Sequence, residues 1–316
     1  MIVRRAPAAL LTLLLGATLA ATPAQAATRG GGPDVAPGLR HDLIAHYDFE
    51  HPVRGDAAGE RDLGRSGTDI RLVNGGAAMR VRDGAHRGSR GSIQLEQVAP
   101  ETAGNDDWKA GLFAETGVPS LHAFNGTRGA SVMGWFKMTG TNPSLNSNTA
   151  APDDRYNAIG LAGLLSGDSQ GHDVRALLEV IDVKGELRVV ALGRRVDGGR
   201  SQTFAADGPW QQVLPQNTWV FLAATFDYDT GAMALYKDGK ALPGAYTVAG
   251  DPWDLEGAPE PDRATATDPR GIKIGGSYPQ NTREGNPCNC RIDSLMFLDR
   301  PVTPKEVRQQ YQRATR

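Results

Sequence analysis

The sequence predicts an all-β chain, a two-sheet antiparallel sandwich finished by one short C-terminal helix. Three observations predict it. The 316 residues include 39 glycines and 20 prolines, a composition that favours many turns over long helices. Apolar runs of strand length recur along the chain, several of them joined by Lys-Gly, Asp-Thr-Gly or Asp-Gly turn signals. Only the closing segment shows a full set of helix-start signals, and no repeat of solenoid length is present. The length exceeds an average domain, yet all-β sandwiches form single units of this size.

Taken in order, the chain opens with Arg4 and Arg5, an apolar run from Ala8 to Ala21, and Ala24-Gln25-Ala26, which has the small-x-small form of a signal-peptidase site. Residues 1–26 are therefore expected to be a signal peptide and the protein to be secreted. The apolar run is shorter than the roughly 20 residues a membrane-spanning helix needs. Residues 27–41, rich in Gly, Pro and Ala, read as a flexible leader, and residues 42–316 as the folded domain. Loss of Arg4 and Arg5 with no acid moves the formal charge from -2 to -4. Such a balance excludes nucleic acid and anionic membrane as main partners, because both demand concentrated basic surface.

Strands are expected at Leu43–Phe49, Ile70–Val73 and Ser131–Met138, with loops over Pro52–Thr68, Asn74–Ser92 and Thr139–Asn157. Ala176–Ala191 reads as two strands hinged at Lys184-Gly185. The format repeats from Trp219, where Asp229-Thr230-Gly231 closes one hairpin and Asp238-Gly239 turns into the next strand. Trp219 to Phe226 is apolar almost throughout, as a covered central strand should be. A Pro- and acid-rich loop over Asp251–Arg270 precedes a strand near Ile272.

In the closing strand, alternation places Ile292, Ser294, Met296 and Leu298 on one face and Asp293, Leu295 and Phe297 on the other. Asp293 then sits among apolar neighbours and needs a hydrogen-bond partner or a cation. Beyond it, Thr303 as N-cap, Pro304 at N1 and Glu306 at N3 form a capping box, with Val302 and Val307 as hydrophobic staple. Val307 and Tyr311, four apart, share the docking face. The two cysteines, Cys288 and Cys290, are expected to form a local disulfide in an oxidising compartment. A free dithiol or a metal-capturing pair is the alternative.

The segments LIAHYDFE, ASVMGWFKM, WVFLAATFDYDTGAMALYKDGK and CRIDSLMFLDRPVTPKEVRQQY resemble, in the same order, LamG-like members of the concanavalin A-like lectin and glucanase superfamily. The resemblance covers about residues 42–313. It implies a jelly-roll sandwich with the first and last strands adjacent. It also implies a structural calcium ion on the convex side, near Glu50 and Asp293. The family's aspartate-serine-glycine-asparagine run after the first strand appears only as Asp62-Leu-Gly-Arg-Ser-Gly67. Without an ion, Asp293 would accept backbone hydrogen bonds instead.

Catalytic patterns are present only in fragments. Glu179, Asp182 and Glu186 suggest the acid cluster of a glycan hydrolase, but residues three apart on a strand face opposite sides, and the retaining route needs two carboxyls about 5 Å apart on one face. Gly167-Asp-Ser-Gln-Gly171 matches a nucleophile elbow, which requires a strand before it and a helix after. It reads instead as a turn between strands. The six histidines lack the H-E-x-x-H spacing of a zinc helix. Aromatic rings in or beside loops remain, since sugar rings stack on them. Trp210, Trp253 and Tyr278 are the candidate ligand contacts, whereas Trp135 and Trp219 read as core. The expectation is a secreted non-catalytic binding module for an extracellular glycan. A glycan hydrolase or lyase of the same fold and a protein-binding adhesive module are the alternatives.

Overall fold

The computed structural model describes residues 32, 34–72, 80–96, 109–143, 158–166, 174–194, 201–247, 269–276 and 288–316. The expected signal segment, residues 1–26, and the elbow sequence at 167–173 lie outside them. The early strands are β1 (Leu43–Tyr47), β2 (Pro52–Val53), β3 (Asp56–Glu60), β4 (Ile70–Leu72), β5 (Arg80–Val81) and β6 (Ser92–Leu95). The middle of the chain supplies β7 (Ala110–Phe113), β8 (Gly129–Met138), β9 (Ile159–Leu165), β10 (Val174–Val183), β11 (Glu186–Arg194) and β12 (Ser201–Ala206). A single-turn helix α1 (Trp210–Val213) leads to β13 (Val220–Asp227), β14 (Met233–Lys237), β15 (Lys240–Ala241) and β16 (Gly244–Tyr246). The chain ends with β17 (Gly271–Ile274), β18 (Cys290–Leu298) and α2 (Pro304–Thr315).

These strands form two antiparallel sheets, so the all-β sandwich with a short C-terminal helix is what the chain adopts. One runs β15-β14-β13-β8-β18-β6-β5, with β1 also on β18. The other runs β16-β12-β11-β10-β9-β17-β7-β4-β3-β2. The first and last long strands pair, Leu43 with Leu298 and Tyr47 with Leu295. The β10–β11 hairpin turns at Lys184-Gly185, both with positive φ (56° and 88°), as a two-residue primed turn requires. Asp238-Gly239 does the same between β14 and β15.

Two apolar layers result. Between the sheets pack Phe136, Leu178, Val189, Leu222, Ile292, Leu295 and Phe297. Outside the eight-stranded sheet a second layer joins Met133, Trp135, Phe221, Met296 and Leu298 to Val302 and Val307. Helix α2 covers that layer. Its capping box is complete: Thr303 Oγ1 accepts from the Glu306 amide, and Glu306 Oε2 accepts from the Thr303 amide at 2.8 Å. Arg300 anchors the same turn to Glu306 and to Asp42. The Arg300 hydrogen bonds, outweighing burial, hold the Glu306 carboxyl down near 2. The Tyr311 ring rests 5.8 Å from Trp135.

Several expectations are corrected. Residues 34–41 of the expected leader are placed against the domain: Val35 and Leu39 are buried beside α2, and Gln310 accepts from the Ala36 amide at 2.8 Å while donating to the Asp34 carbonyl. Mixed polar composition hid that docking, because only two of the residues are large and apolar. The stretches read as loops over Pro52–Thr68 and Asn74–Ser92 contain β2, β3 and β5, edge strands too short and polar to show a period. Trp219 is only partly buried, on the outer layer, with its Nε1 3.4 Å from Asp83 Oδ1 and the Lys137 ammonium 5.6 Å from its ring.

The closing strand differs most. A bulge falls between Asp293 and Met296, with Ser294 at φ 49°. Gly134 of β8 sits opposite, where an added Cβ would lie 3.2 Å from the Leu295 Cα. One extra residue shifts the alternation by a place. Ile292, Leu295 and Phe297 therefore share the inter-sheet face, while Met296 and Leu298 point to the helix layer.

Docking of the leader has a measurable cost if removed. Leu39→Ala, at a site with 0% exposure, is expected to lower unfolding free energy by about 2–4 kcal/mol in urea titration. A change within about 0.5 kcal/mol would show that the segment contributes no packing.

Candidate ligand-binding site

The bulge creates the first cluster. On its outer edge β18 pairs with β6 through Cys290–Ile292 and with β1 through Leu295–Leu298. Asp293 and Ser294 fall between those two pairings, so neither neighbouring strand pairs with them on that edge. The connection from β5 to β6 turns in over it. Its Ala85 amide donates to Asp293 Oδ2 at 2.8 Å, and Ser294 Oγ lies 3.0 Å from Asp293 Oδ1. Glu50, just past β1, accepts from the amides of Arg90 (2.6 Å) and Gly91 (3.1 Å). The two sequence-predicted acids are thus brought to one place, bridged by a single hydroxyl that no sequence pattern singled out.

That hydroxyl, Ser89 Oγ, lies 2.7 Å from Asp293 Oδ2, 3.2 Å from Glu50 Oε1 and 3.0 Å from the Gly91 carbonyl. A hydroxyl carries one proton, so it can satisfy only one of three acceptors at a time. Two oxygen–oxygen contacts are left without a proton between them. Hard carboxylate, hydroxyl and carbonyl oxygens in that arrangement suit calcium chemically. Among the described residues no three His, Cys, Asp or Glu side chains come together as a metal cluster. Burial pushes the Asp293 carboxyl up to about 6, against the hydrogen bonds from Ser89 and Ala85 that lower it. His86 Nε2, 2.8 Å from Ser294 Oγ, closes the cluster on the helix side.

Cys288 and Cys290 are bridged, with Cα atoms 5.1 Å apart, and both are fully buried at the entrance to β18. Of the aromatic candidates, Trp210 lies in α1 and is 5% exposed within the inter-sheet layer. Its ring packs instead of presenting a face. Trp253 and Tyr278 lie outside the described residues. Glu179 is buried on β10, Asp182 caps its own turn by accepting from the Gly185 amide, and Glu186 faces Arg188. No retaining-type carboxylate pair forms from them. A strand, β10, follows the elbow sequence where a helix would be needed.

The opening with chemistry of its own lies on the ten-stranded sheet. It is a depression of about 250 Å³ at the outer end of the β10–β11 hairpin, lined by Lys184, Glu186, Arg188, Ala205, Ala245 and Tyr246. Alternation along β11 turns Leu187, Val189 and Ala191 toward the other sheet and leaves Glu186 and Arg188 together on the outer face. Ala205 and Ala245 are register partners and form a shallow floor. Tyr246 is the one large apolar residue of this kind exposed among the described residues, at 39%. Its side chain alternates to the opposite face from Ala245: the ring is held edge-on by Phe204 (5.5 Å), itself packed on the inter-sheet layer, and its hydroxyl accepts from the Met233 amide of the eight-stranded sheet at 2.8 Å. A short edge strand gave no periodic signal, so sequence reasoning missed it.

No family model matches the chain, and no curated protein matches it. Solved structures do. The receptor-binding domain of botulinum neurotoxin type G superposes with TM-score 0.50 at 11% identity, covering 86% of this chain and 51% of that one. The binding domain of botulinum neurotoxin DC, solved in complex with rat synaptotagmin II, gives 0.51 at 10% identity, with 87% and 52% covered. A Trypanosoma rangeli sialidase in complex with sialic acid gives 0.49 at 13% identity, with 86% and 33% covered. The chain spans about half the length of the two toxin-domain chains. The two botulinum likenesses show a shared β-sandwich fold.

His46 supplies a pH prediction. It lies at 3% exposure on β1, and among the described residues neither ring nitrogen has a hydrogen-bond partner. Burial lowers its pKa from 6.5 to about 4. A depressed folded pKa means stability that is present above pH 6.5 and is lost as pH falls toward 4. Relative to His46→Phe, the wild type should lose about 2–3 kcal/mol of unfolding free energy between pH 7.5 and 4.5 in urea titrations. Parallel pH curves for the two proteins would contradict a buried neutral imidazole.

Proposed function

We propose that the chain is a secreted, non-catalytic carbohydrate-binding module, built as a LamG-like jelly roll of the concanavalin A-like type. The observation that carries the reading is the depression at the outer end of the β10–β11 hairpin. A sugar ring needs an apolar surface to lie on and polar groups at its rim, and a platform that is already rigid loses little entropy on binding. Ala205 and Ala245, paired between β12 and β16, supply the apolar floor. Glu186, Arg188 and Thr247 supply the rim. The absence of an opposed carboxyl pair from Glu179, Asp182 and Glu186 supports binding over hydrolysis by that cluster. The disulfide and the signal-like opening segment support an extracellular setting.

The reading includes calcium at the strand gap. Glu50, Asp293, Ser89 Oγ and the Gly91 carbonyl would hold it, and its charge would offset the unshared oxygen contacts there. Its role would be structural, tying β1, the β5–β6 connection and β18 together.

Polysaccharide pull-downs should show retention that Arg188→Ala weakens at least tenfold while leaving the melting temperature within about 2 °C. No retention on any polysaccharide would overturn the binding reading. For the ion, the melting midpoint should rise in calcium relative to chelator, and Asp293→Asn should remove the rise. Equal midpoints in the wild type would dismiss calcium.

A further inference from the structure

The Cys288–Cys290 bridge joins residues only two apart, and so short a loop removes little entropy from the unfolded chain when it closes. Its effect is therefore local. Residues two apart on an extended strand have Cα atoms about 6.6 Å apart, whereas these lie 5.1 Å apart. Both ends are held: Cys290 pairs with Leu95 on one side and Met138 on the other, and the Cys288 amide donates to the Gly275 carbonyl at 3.0 Å. Asn289, in the contracted stretch between them, makes no ladder pair, and β18 starts only at Cys290.

Asn289 instead holds residues 139–142, the turn that leaves β8. Its carbonyl accepts from the amides of Thr139 (2.9 Å) and Gly140 (3.1 Å) and from Asn142 Nδ2 (2.9 Å). Its own amide donates to Asn142 Oδ1 at 3.0 Å, and its Nδ2 to the Thr141 carbonyl at 2.6 Å. Every residue of the turn is thus bonded to one residue inside the disulfide loop. The fit is close as well, since a Cβ added to Gly140 would lie 2.8 Å from the Asn289 Cβ. Without the bridge nothing covalent keeps the chain contracted, and any extension displaces the one carbonyl on which three donors converge.

We propose that the bridge is a redox latch on residues 139–142. Oxidised, it holds Asn289 as their socket; reduced by an external dithiol, it releases them while the sandwich stays folded. One thiolate of the dithiol attacks a bridge sulfur, and its second thiol resolves the mixed disulfide. The dithiol leaves as a cyclic disulfide, and Cys288 and Cys290 gain two electrons and two protons as thiols. Both cysteines are fully buried, so the sulfurs react only once the surrounding chain opens, and opening and reduction favour each other. An oxidising exterior keeps the latch closed.

Hydrogen exchange of the full chain, with and without millimolar dithiothreitol, tests this, the thiols being counted by alkylation and mass spectrometry. The bridge should reduce in native buffer. The amides of Thr139, Gly140 and Asn289 should then exchange at least tenfold faster, while those of β13 and β14 stay within twofold. A Cys288→Ser/Cys290→Ser double variant should exchange fast at the same amides with or without dithiol. If that variant does not fold, reduction of the already folded wild type decides alone. A bridge that resists dithiol in the native protein, protection of Thr139 and Gly140 unchanged within twofold on reduction, or acceleration spread equally to β13 and β14 would each overturn the latch.

Discussion

The structure depends on covering both faces of β18 at once. Eight of its nine residues are buried, so neither face can be left to water. One face packs on the opposite sheet through Ile292, Leu295 and Phe297. The other, through Met296 and Leu298, needs a separate cover, which α2 and residues 34–39 provide. The helix cap, the Arg300 bridge and the Gln310 contacts all serve to hold that cover in place. The Arg300–Asp42 bond and the Gln310 contacts join segments far apart in the chain.

The bulge is the second consequence of that double burial. A strand with strict alternation would put Leu295 and Phe297 opposite Ile292. Inserting Ser294 in the left-handed region puts all three on the same face. The insertion interrupts pairing on the outer edge, where Asp293 then receives the Ala85 amide and the Ser89 hydroxyl in place of ladder bonds. A buried carboxylate is tolerable only with such partners. The polar cluster around Glu50 and Asp293 is therefore inseparable from the packing of the apolar residues beside it.

The depression at the β10–β11 hairpin end lies elsewhere, on the far sheet, where the demands differ. Tyr246 belongs to a short edge strand and is 39% exposed. Phe204 and the Met233 amide of the other sheet hold its side chain at the edge of the inter-sheet layer. Of the aromatic residues expected to contact a ligand, Trp210 is drawn into the inter-sheet layer because the single turn of α1 aims it inward.

By itself, the sequence determined the elements whose signals are local. Turn residues with positive φ at Lys184-Gly185 and Asp238-Gly239 marked hairpins, since few other pairs adopt that backbone cheaply. The Thr303–Glu306 box marked the helix start for the same reason, its two hydrogen bonds lying within four residues. Glu50 and Asp293 were legible as a pair only through a resemblance in the order of motifs. Tertiary structure decided what depends on distant neighbours. The bulge at Ser294 is set by what lies across β8 and under α2, and the docking of Val35 and Leu39 by a surface formed some 270 residues later. The Tyr246 depression depends on a register between β12 and β16 that no alternation in a three-residue strand could announce. Local signals report backbone preference, whereas burial, and the sites it opens or closes, is a property of contacts made only when the chain has folded.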